Sequence, residues 1–220
     1  MNEYTKKVVD HYTKHRNSYR STDRIAFPLA QKLGIKNKTI LDFGCGHGVD
    51  SMKFVKLGAK KVLGIDPSKP MIDLAKKENK HSKIKFVKTN GKILPLKAQQ
   101  FDLVFANFVV HYLKDTKKQF KEIARMLKPG GYFLAVFNCL TSDDKLINHR
   151  VPMLLGRGNQ QTRIHILSKS PDEIKTNLRK AGFMINKFSR VANPDAMIDL
   201  GYKNAYGFQK QSFVFIAERE

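Results

Sequence analysis

Three glycines within five residues constrain this chain more than any other feature of its sequence. Gly44, Gly46 and Gly48 lie in the stretch TILDFGCGHGVD, directly after a short apolar run that predicts a buried strand. A second apolar run, KKVLGID, ends at Asp66, eighteen residues after the last of these glycines. A glycine-rich turn followed by an acidic strand end is the layout of a nucleotide-binding domain, in which the carboxylate meets a ribose. The sequence therefore predicts a nucleotide site and leaves open which nucleotide it takes.

The spacing within the glycine loop separates the kinds of nucleotide that such loops bind. A phosphate-binding loop of the type G-x-x-x-x-G-K-[ST] is excluded, because no lysine followed by serine or threonine ends the loop. A dinucleotide site has the pattern G-x-G-x-x-G, whereas this loop is G-x-G-x-G with Val49 and Asp50 behind it. An acid in the first turn of the next helix is unhelpful beside a pyrophosphate and acceptable beside an ammonium group. The loop thus favours a nucleoside that carries an ammonium group.

Short apolar runs alternate with amphipathic segments over most of the chain. The runs KTILDFG, KKVLGID, IKFVKTN, FDLVFANF and YFLAVFN predict five strands, and helical periodicity and capping signals predict helices between them. One of these helices, TKKQFKEIARMLKPGG, is expected to stop at Pro129 and Gly130. Alternation at this spacing predicts an α/β fold, a doubly wound parallel sheet with helices on both faces.

The formal net charge of +22 is open to several interpretations. The field of a basic protein steers nucleic acid, acidic membrane surfaces and anionic substrates alike. Lysine makes up 31 of the 41 basic residues, and the lysines are spread through nearly every segment. Arginine is the better residue for bidentate phosphate contacts. We therefore favour a lysine-rich solvated surface over a functional contact with a polyanion.

The remaining composition describes an ordinary globular chain with one domain, 1–220. No apolar run approaches the ~20 residues of a membrane span, and the N-terminus lacks the apolar segment of a secretory signal. Cys45 and Cys139 are far apart in the chain, so neither a disulfide framework nor a clustered metal site is predicted. The expected location is the cytoplasm.

Five motifs in order resemble those of the class I S-adenosylmethionine-dependent methyltransferases, of the type that acts on small molecules. The first is ILDFGCGHG, and VLGID, TNGKILPL, FDLVFANFVVHYL and LKPGGYFLAVF follow it at compatible spacings, from Ile40 to Asn138. The resemblance implies a Rossmann-like sheet of seven strands, mostly parallel with an antiparallel C-terminal strand. The expected segments are N-terminal lid helices (1–36), a cofactor-binding core (37–138), a substrate-side insertion (139–170) and a C-terminal helix with strands (171–220).

The implied cofactor is S-adenosyl-L-methionine, with S-adenosyl-L-homocysteine as the product, and its chemistry suits the motifs. It has no phosphate, and glycines without a Cβ let the backbone approach its amino acid end. In the resembling family the acid of the first motif, here Asp42, helps position the loop, and Asp66 should accept both ribose hydroxyls unless it merely caps a helix. Met71 is placed to pack near the adenine or in the core. The cofactor-binding residues predicted in the core are Asp42, Gly44, Cys45, Gly46, Gly48, Asp66, Pro67, Met71, Asn90, Gly91 and Asn107.

Asn90 departs from the family pattern, which usually has an aspartate at this position. An asparagine carbonyl still accepts a hydrogen bond from the adenine amine, so adenine binding survives in principle. Asn107, at the end of the fourth strand, is as well placed to cap the following segment as to touch the cofactor. Cys45 and His47 are expected to meet the cofactor through their backbone more than through their side chains.

Methyl transfer from a sulfonium depends on alignment and exclusion of water, and it requires a general base only where the acceptor must lose a proton. His111 and His165 are weak candidates for a catalytic role, since a lone histidine is more often structural. Tyr12, Arg16 and Tyr19 lie in a segment that resembles a lid helix. They are predicted to contact the cofactor, although an amphipathic helix with core aromatics would show the same pattern.

The predicted acceptor is a small molecule, and the arginines of the insertion allow it to be anionic. The first alternative is an RNA or protein methyltransferase. Against it, the chain has no recognisable RNA-binding motif, and FVVHYL lacks the Asn-Pro-Pro pattern of enzymes that methylate exocyclic nitrogens of nucleobases. The second alternative is a non-catalytic cofactor-binding protein, since a fold does not by itself define a function.

Overall fold

The structure, a computed structural model, describes residues 9–10, 21–89, 96–140, 150–155, 162–167, 169–191 and 210–220. Helices and strands alternate through most of this part of the chain. In chain order they are α1 (Ser21–Lys32), β1 (Thr39–Phe43), α2 (Val49–Lys56), β2 (Lys61–Asp66), α3 (Lys69–Glu78), β3 (Ile84–Lys88), β4 (Phe101–Asn107), a 3-10 helix (Val110–Tyr112), α4 (Thr116–Met126), β5 (Leu127–Leu140), β6 (Arg150–Leu155), β7 (Thr162–Leu167), α5 (Pro171–Lys180), β8 (Phe183–Arg190) and β9 (Lys210–Arg219).

Seven of the strands form one sheet in the order β3-β2-β1-β4-β5-β9-β8. Strands β1 to β5 are parallel, and β9 runs antiparallel to both of its neighbours. The predicted seven-stranded, mostly parallel sheet is therefore confirmed. The chain proceeds from β1 outward to β3 and then returns to the other side of β1, so the strand order reverses between β1 and β4. Ligands of doubly wound sheets bind at this kind of reversal, outside the carboxyl ends of the strands.

Both faces of the sheet are buried, which is why its central strands are almost continuously apolar. Phe133 and Phe137 of β5 lie on one face, in a cluster with α4 and α5. Leu134 and Val136 lie on the opposite face, in a cluster with α1 and α2. The alternation along β5 thus divides its side chains between two helical layers, as the period of a strand requires.

The boundary between α4 and β5 differs from the sequence prediction. Helix α4 ends at Met126, and β5 begins at the next residue, ahead of the predicted stop at Pro129 and Gly130. Leu127 already pairs with Phe101 of β4, and the register then shifts before regular pairing resumes. Pro129 has no N–H to donate to a ladder, and Gly130 has a φ of 69°, so the two residues form an irregular stretch inside the strand.

The segment between β5 and α5 contains a two-stranded antiparallel sheet of β6 and β7. Strand β7 lies against the 3-10 helix that follows β4, and so near the carboxyl end of the main sheet. None of the helices in the described ranges is both long and apolar enough to cross a membrane.

Candidate functional site

The glycine loop lies at the carboxyl ends of β1 and β2. The N–H groups of Gly44 and Cys45 both donate to the carbonyl oxygen of Ile65, at 2.8 Å and 2.9 Å, so the loop leaves β1 while still bonded to β2. The Gly48 N–H then donates to the Cys45 carbonyl at 2.9 Å and closes a turn that leads into α2. Hydrogen bonds within the protein therefore fix the backbone of the loop at the carboxyl ends of β1 and β2, without any ligand.

The three loop glycines adopt the same left-handed backbone for two different reasons. All three have positive φ angles, of 78°, 51° and 82° in chain order. A Cβ on Gly44 would lie 2.3 Å from a methyl group of Val109, and one on Gly48 would lie 2.5 Å from the Phe86 ring. A Cβ on Gly46 would meet no atom of the described residues within 4 Å. Two glycines are thus required by close packing within the protein, while Gly46 faces open space that a ligand can fill.

Asp66, at the end of β2, holds the glycine loop and the start of α3 together. Its Oδ2 accepts the Gly46 N–H at 3.0 Å, and its Oδ1 accepts the Ser68 N–H at 2.8 Å. The N-terminal cap of α3 is Ser68, whose hydroxyl accepts from Met71, so Asp66 is not the helix cap. The Asp66 side chain is half-buried, and each carboxylate oxygen retains a second lone pair. The carboxylate can therefore keep its backbone contacts and still accept from a diol.

Two further acidic residues, Asp42 and Asp50, lie at this end of the sheet. Asp42 is buried at the end of β1 and accepts a 2.6 Å hydrogen bond from the Ser51 hydroxyl. Burial, followed by the charges of Asp50 and Asp66, raises the pKa of Asp42 to about 8 in spite of the Ser51 hydrogen bonds. Burial also raises the pKa of Asp66, against the N–H donors of Ser68 and Gly46. Such a site is stabilised by a cation and disfavours a pyrophosphate.

Asn107 links the end of β4 to the first turn of α2. Its Nδ2 donates to Asp50 Oδ2 at 3.2 Å, and Lys53 lies 4.0 Å from the other oxygen of the same carboxylate. The Asp50 side chain is only 18% exposed. Asn107 therefore orients a carboxylate of the site, in addition to any contact that it makes with a ligand.

The remaining predicted residues of this region differ in exposure. Cys45 is buried among Ile72, Ala75 and Phe86, and burial together with Asp42 and Asp66 holds the pKa of its thiol well above the ordinary range. The thiol therefore stays protonated and packs as an apolar group. Met71 is buried, and Pro67 is exposed.

His111 is buried beneath the end of β5, in the 3-10 helix. Its Nδ1 accepts the Asn138 N–H at 3.2 Å, and its ring centre lies 4.4 Å from that of Tyr112. The Asn138 side chain is also buried and accepts from the Ser212 hydroxyl at 2.9 Å. Sequence reasoning missed Asn138, although an amide at the end of the apolar run YFLAVFN was a signal for it. The backbone of His165 lies in β7, next to this 3-10 helix.

Several predicted residues lie outside the described part of the chain. They are Tyr12, Arg16 and Tyr19 of the N-terminal segment, and Asn90 and Gly91 after β3. Within the described ranges no three histidine, cysteine, aspartate or glutamate side chains are grouped so that they could hold a metal ion.

The sheet order, the antiparallel β9, the glycine loop after β1 and the acidic end of β2 together agree with the fold that the methyltransferase-like motifs implied. A family model described as a methyltransferase domain matches residues 41–135. Over this core, the match confirms the predicted resemblance to the class I S-adenosylmethionine-dependent methyltransferases.

Proteins with similar sequences are also named as methyltransferases. The chain is 28% identical over 152 residues to an uncharacterized methyltransferase of Bacillus subtilis, a match that covers 63% of this chain and 59% of the relative. It is 34% identical over 105 residues to the ubiquinone biosynthesis O-methyltransferase of Coxiella burnetii, covering 47% of this chain and 44% of that one. The chain therefore spans about half the length of these curated relatives.

Solved structures match over most of the chain and show the fold alone, because their sequence identities are low. An S-adenosylmethionine-dependent methyltransferase from Mesorhizobium loti superimposes with a TM-score of 0.67 at 19% identity, covering 88% of this chain and 97% of that chain. The [4+2]-cyclase SpnF superimposes with a TM-score of 0.73 at 19% identity, covering 91% and 81%.

Proposed function

We propose that the chain catalyses transfer of a methyl group from S-adenosyl-L-methionine to a small-molecule acceptor. The observation that carries the proposal is the arrangement at the ends of β1 and β2, where Gly46 faces open space beside the half-buried carboxylate of Asp66. The cofactor supplies an activated methyl group on a sulfonium, next to an ammonium group, a ribose diol and an adenine. Among the described residues, Asp66 offers a carboxylate for the diol, and the acidic side chains offer a negative field for the ammonium and the sulfonium.

The residues fit this cofactor through charge and shape. Each carboxylate oxygen of Asp66 accepts one backbone N–H and keeps a second lone pair. These two lone pairs suit the two hydroxyl donors of a ribose. The negative field of Asp50 and Asp66, which adds to burial in raising the pKa of Asp42, favours an ammonium and a sulfonium. The same field acts against a phosphate, so the charge of the site supports the choice of nucleoside that the loop spacing favoured.

The contribution of the protein to the reaction is alignment and exclusion of water. The loop and Asp66 are held by backbone hydrogen bonds, so they position a bound nucleoside without rearrangement. His111 uses its Nδ1 to accept from Asn138, which suits a residue that fixes the end of β5 against the 3-10 helix. We therefore propose that His111 is a positioning residue. We also propose that the acceptor reacts without His111 Nδ1 as a general base.

The relatives support a small-molecule acceptor without specifying it. One is named as a ubiquinone biosynthesis O-methyltransferase, another as a sterol 24-C-methyltransferase and a third as a malonyl-[acyl-carrier protein] O-methyltransferase. These names differ in the atom attacked and in the body of the acceptor. The shared element is the cofactor-binding core, whereas the insertion and the termini are the segments that would adapt to each acceptor.

The test is incubation with methyl-labelled S-adenosylmethionine and a fractionated cell extract, followed by separation of label in small molecules, RNA and protein. We expect the label in a small-molecule fraction. The Asp66→Ala variant should transfer none, and Asp73→Ala, which removes an exposed carboxylate of α3, should match the wild type. Label in RNA or protein would replace the proposed acceptor class, and cofactor binding without any transfer would favour a non-catalytic binding protein.

A further inference from the structure

The amino ends of β1, β2 and β3 form an edge of the sheet with a dense positive charge. The three connections that lead into these strands, with the last residues of the preceding helices, span 32–38, 56–61 and 76–85. They contain eleven lysines and a single acidic residue, Glu78. All eleven lysine side chains are exposed. In the sequence these lysines belong to three separate segments, and nothing in their spacing indicates that they meet.

The parallel sheet brings the three connections together. The Lys60 N–H donates to the Lys38 carbonyl at 2.8 Å, and the Val62 N–H donates to the Lys83 carbonyl at the same distance. Lys61 is the register partner of Thr39, so it stands beside the first residue of β1. We call Lys36, Lys38, Lys60, Lys61 and Lys83 the lysine edge. Neighbouring strands are about 4.8 Å apart, so these side chains start within a span of about 10 Å.

The helices explain part of this charge and leave the lysine edge unexplained. Helices α1, α2 and α3 end near this side of the sheet, and their last turns carry Lys32, Lys56, Lys76 and Lys77. Those lysines complement the negative ends of the helix dipoles. The residues of the lysine edge follow the helices and lie beyond their last turns. Within the described ranges none of the five forms an ion pair within 4.0 Å.

Asp102, a carboxylate near the amino end of β1, offsets the charge of the edge only in part. Asp102, at the start of β4, accepts from the Thr39 N–H at 2.7 Å and from Lys128 at 2.9 Å. Its hydrogen bonds go to Thr39 and Lys128, and of the five lysines only the charge of Lys38 acts on its pKa, so the lysine edge keeps a net positive field. Five clustered lysines repel one another, and a surface of this kind is stabilised by an external polyanion.

We propose that the lysine edge docks the protein on the anionic headgroups of a membrane surface. Juxtamembrane lysines contribute to such binding through their charge and need no fixed geometry, because lipids move to meet them. A nucleic acid is the poorer fit, since the three connections contain no arginine for bidentate phosphate contacts and no phenylalanine, tyrosine or tryptophan for base stacking.

The proposed docking is peripheral and reversible. Among the described residues only Val49 and Met184 are exposed large apolar side chains, and neither belongs to the lysine edge. Binding through the lysine edge is therefore electrostatic, and salt should reverse it. The glycine loop and Asp66 lie at the opposite ends of the same strands, so the docked protein keeps its candidate site turned towards the solution.

The experiment is co-sedimentation of the full chain with phosphatidylcholine vesicles that contain or lack a minority of phosphatidylglycerol. We expect binding only to the anionic vesicles, and its loss when salt is raised from ~0.1 M to ~1 M. The variant Lys38→Glu/Lys60→Glu/Lys61→Glu/Lys83→Glu should bind on the order of 1,000-fold less tightly. The matched control is Lys114→Glu/Lys117→Glu/Lys118→Glu/Lys121→Glu, which makes the same change of net charge at exposed lysines near and within α4.

The control separates a docking surface from the effect of total charge. Binding that survives in the control variant and disappears in the edge variant supports the proposal. An equal loss in both variants assigns binding to net charge and overturns it, as does the absence of binding to anionic vesicles. Double-stranded RNA serves as a competing probe, and a preference for RNA through the same four lysines would replace the membrane by a nucleic acid. Thermal unfolding of both variants verifies that they are folded.

Discussion

The two ends of the parallel strands differ in charge, and the same type of side chain behaves differently at each. At the carboxyl ends, burial and neighbouring carboxylates raise the pKa of Asp42 to about 8. At the amino ends, burial acts on Asp102 in the same direction, but hydrogen bonds from Lys128 and Thr39 and the charges of Lys128 and Lys38 outweigh it and lower its pKa. The surroundings of each aspartate therefore decide whether it is strained or stabilised as an anion.

Helix direction offers a physical reason for this division. In a doubly wound sheet the helices run antiparallel to the strands, so their positive N-termini lie at the carboxyl ends and their negative C-termini at the amino ends. Asp50 lies in the first turn of α2, and lysines occupy the last turns of α1, α2 and α3. Asp50 and the lysines of the last turns thus complement the helix dipoles, and the lysine edge adds positive charge beyond them. Each of the predictions below alters one end and asks whether the other is unaffected.

The largest expected effect is that of Asp66→Ala on cofactor binding. The variant removes the proposed acceptor of two ribose hydroxyls, and hydrogen bonds to a charged group contribute about 1.5–3 kcal/mol each. We expect S-adenosylmethionine to bind at least ~100-fold more weakly in calorimetry, with the fold retained in circular dichroism. Asp73→Ala, at an exposed ion pair of α3, is the control. Unchanged affinity in Asp66→Ala would remove this residue from the site.

The glycine loop can be divided by two substitutions at positive φ. Gly44→Ala places a Cβ against Val109, so strain and overpacking should lower the free energy of unfolding by about 2–4 kcal/mol. Gly46→Ala adds a Cβ in open space, and we expect a loss of only about 1 kcal/mol. Urea unfolding measures both. Calorimetry should show at least ~10-fold weaker cofactor binding for Gly46→Ala, and equal stability losses in the two variants would contradict the distinction.

The fold was predictable because its signals are local. The runs KTILDFG, KKVLGID and FDLVFANF predict strands from a few adjacent residues, and β1, β2 and β4 are found there. The end of α4 was placed wrongly because a distant contact decides it, namely the pairing of Leu127 with Phe101. Propensity alone would let the helix continue to Pro129, but the ladder begins before the proline is reached.

The features that could not be predicted from the sequence are those in which residues distant along the chain come into contact. Gly44 and Gly48 must be glycine also because a Cβ would collide with Val109 and Phe86, and these side chains reach the loop only once the sheet has formed. The lysines looked evenly spread along the chain, and only the parallel register places Lys38, Lys60 and Lys83 side by side. Residue types and their order along the chain therefore predict a motif. The concentration of lysines at one edge can be predicted only when the order of the strands in the sheet is known.

The stability of the protein should depend on pH through Asp42, at the carboxyl end of β1. Asp42 titrates near 3.9 in an unfolded chain and at about 8 in the folded protein. Between these values the folded state binds more protons, so the contribution of Asp42 to stability is retained below about pH 4 and lost as pH rises through 8. We expect the free energy of unfolding of the ligand-free protein to fall by about 1 kcal/mol or more from about pH 5 to about pH 8.

Asp42→Asn tests this assignment, since its amide keeps an oxygen that can accept from Ser51 but does not ionise. The slope between about pH 5 and about pH 8 should flatten in this variant. Asp73→Asn, at an exposed position, should leave the slope as it is in the wild type. A slope that persists in Asp42→Asn would place the titrating group elsewhere.

The smallest effect is expected at the amino end, from Lys128→Gln. The Lys128 side chain is 44% exposed, so solvent screens its 2.9 Å contact with Asp102 and the loss at neutral pH should be about 0.5 kcal/mol. Because the folded pKa of Asp102 is lowered, its stabilisation is present above its unfolded value and disappears as pH falls through the folded one. Thermal unfolding of Lys128→Gln and the wild type should therefore converge in acid, with Lys187→Gln, an exposed lysine of β8, unchanged throughout. A difference that grows in acid would show that Lys128 acts on another group. Convergence would mean that carboxylates at opposite ends of the same strands respond to pH with opposite sign.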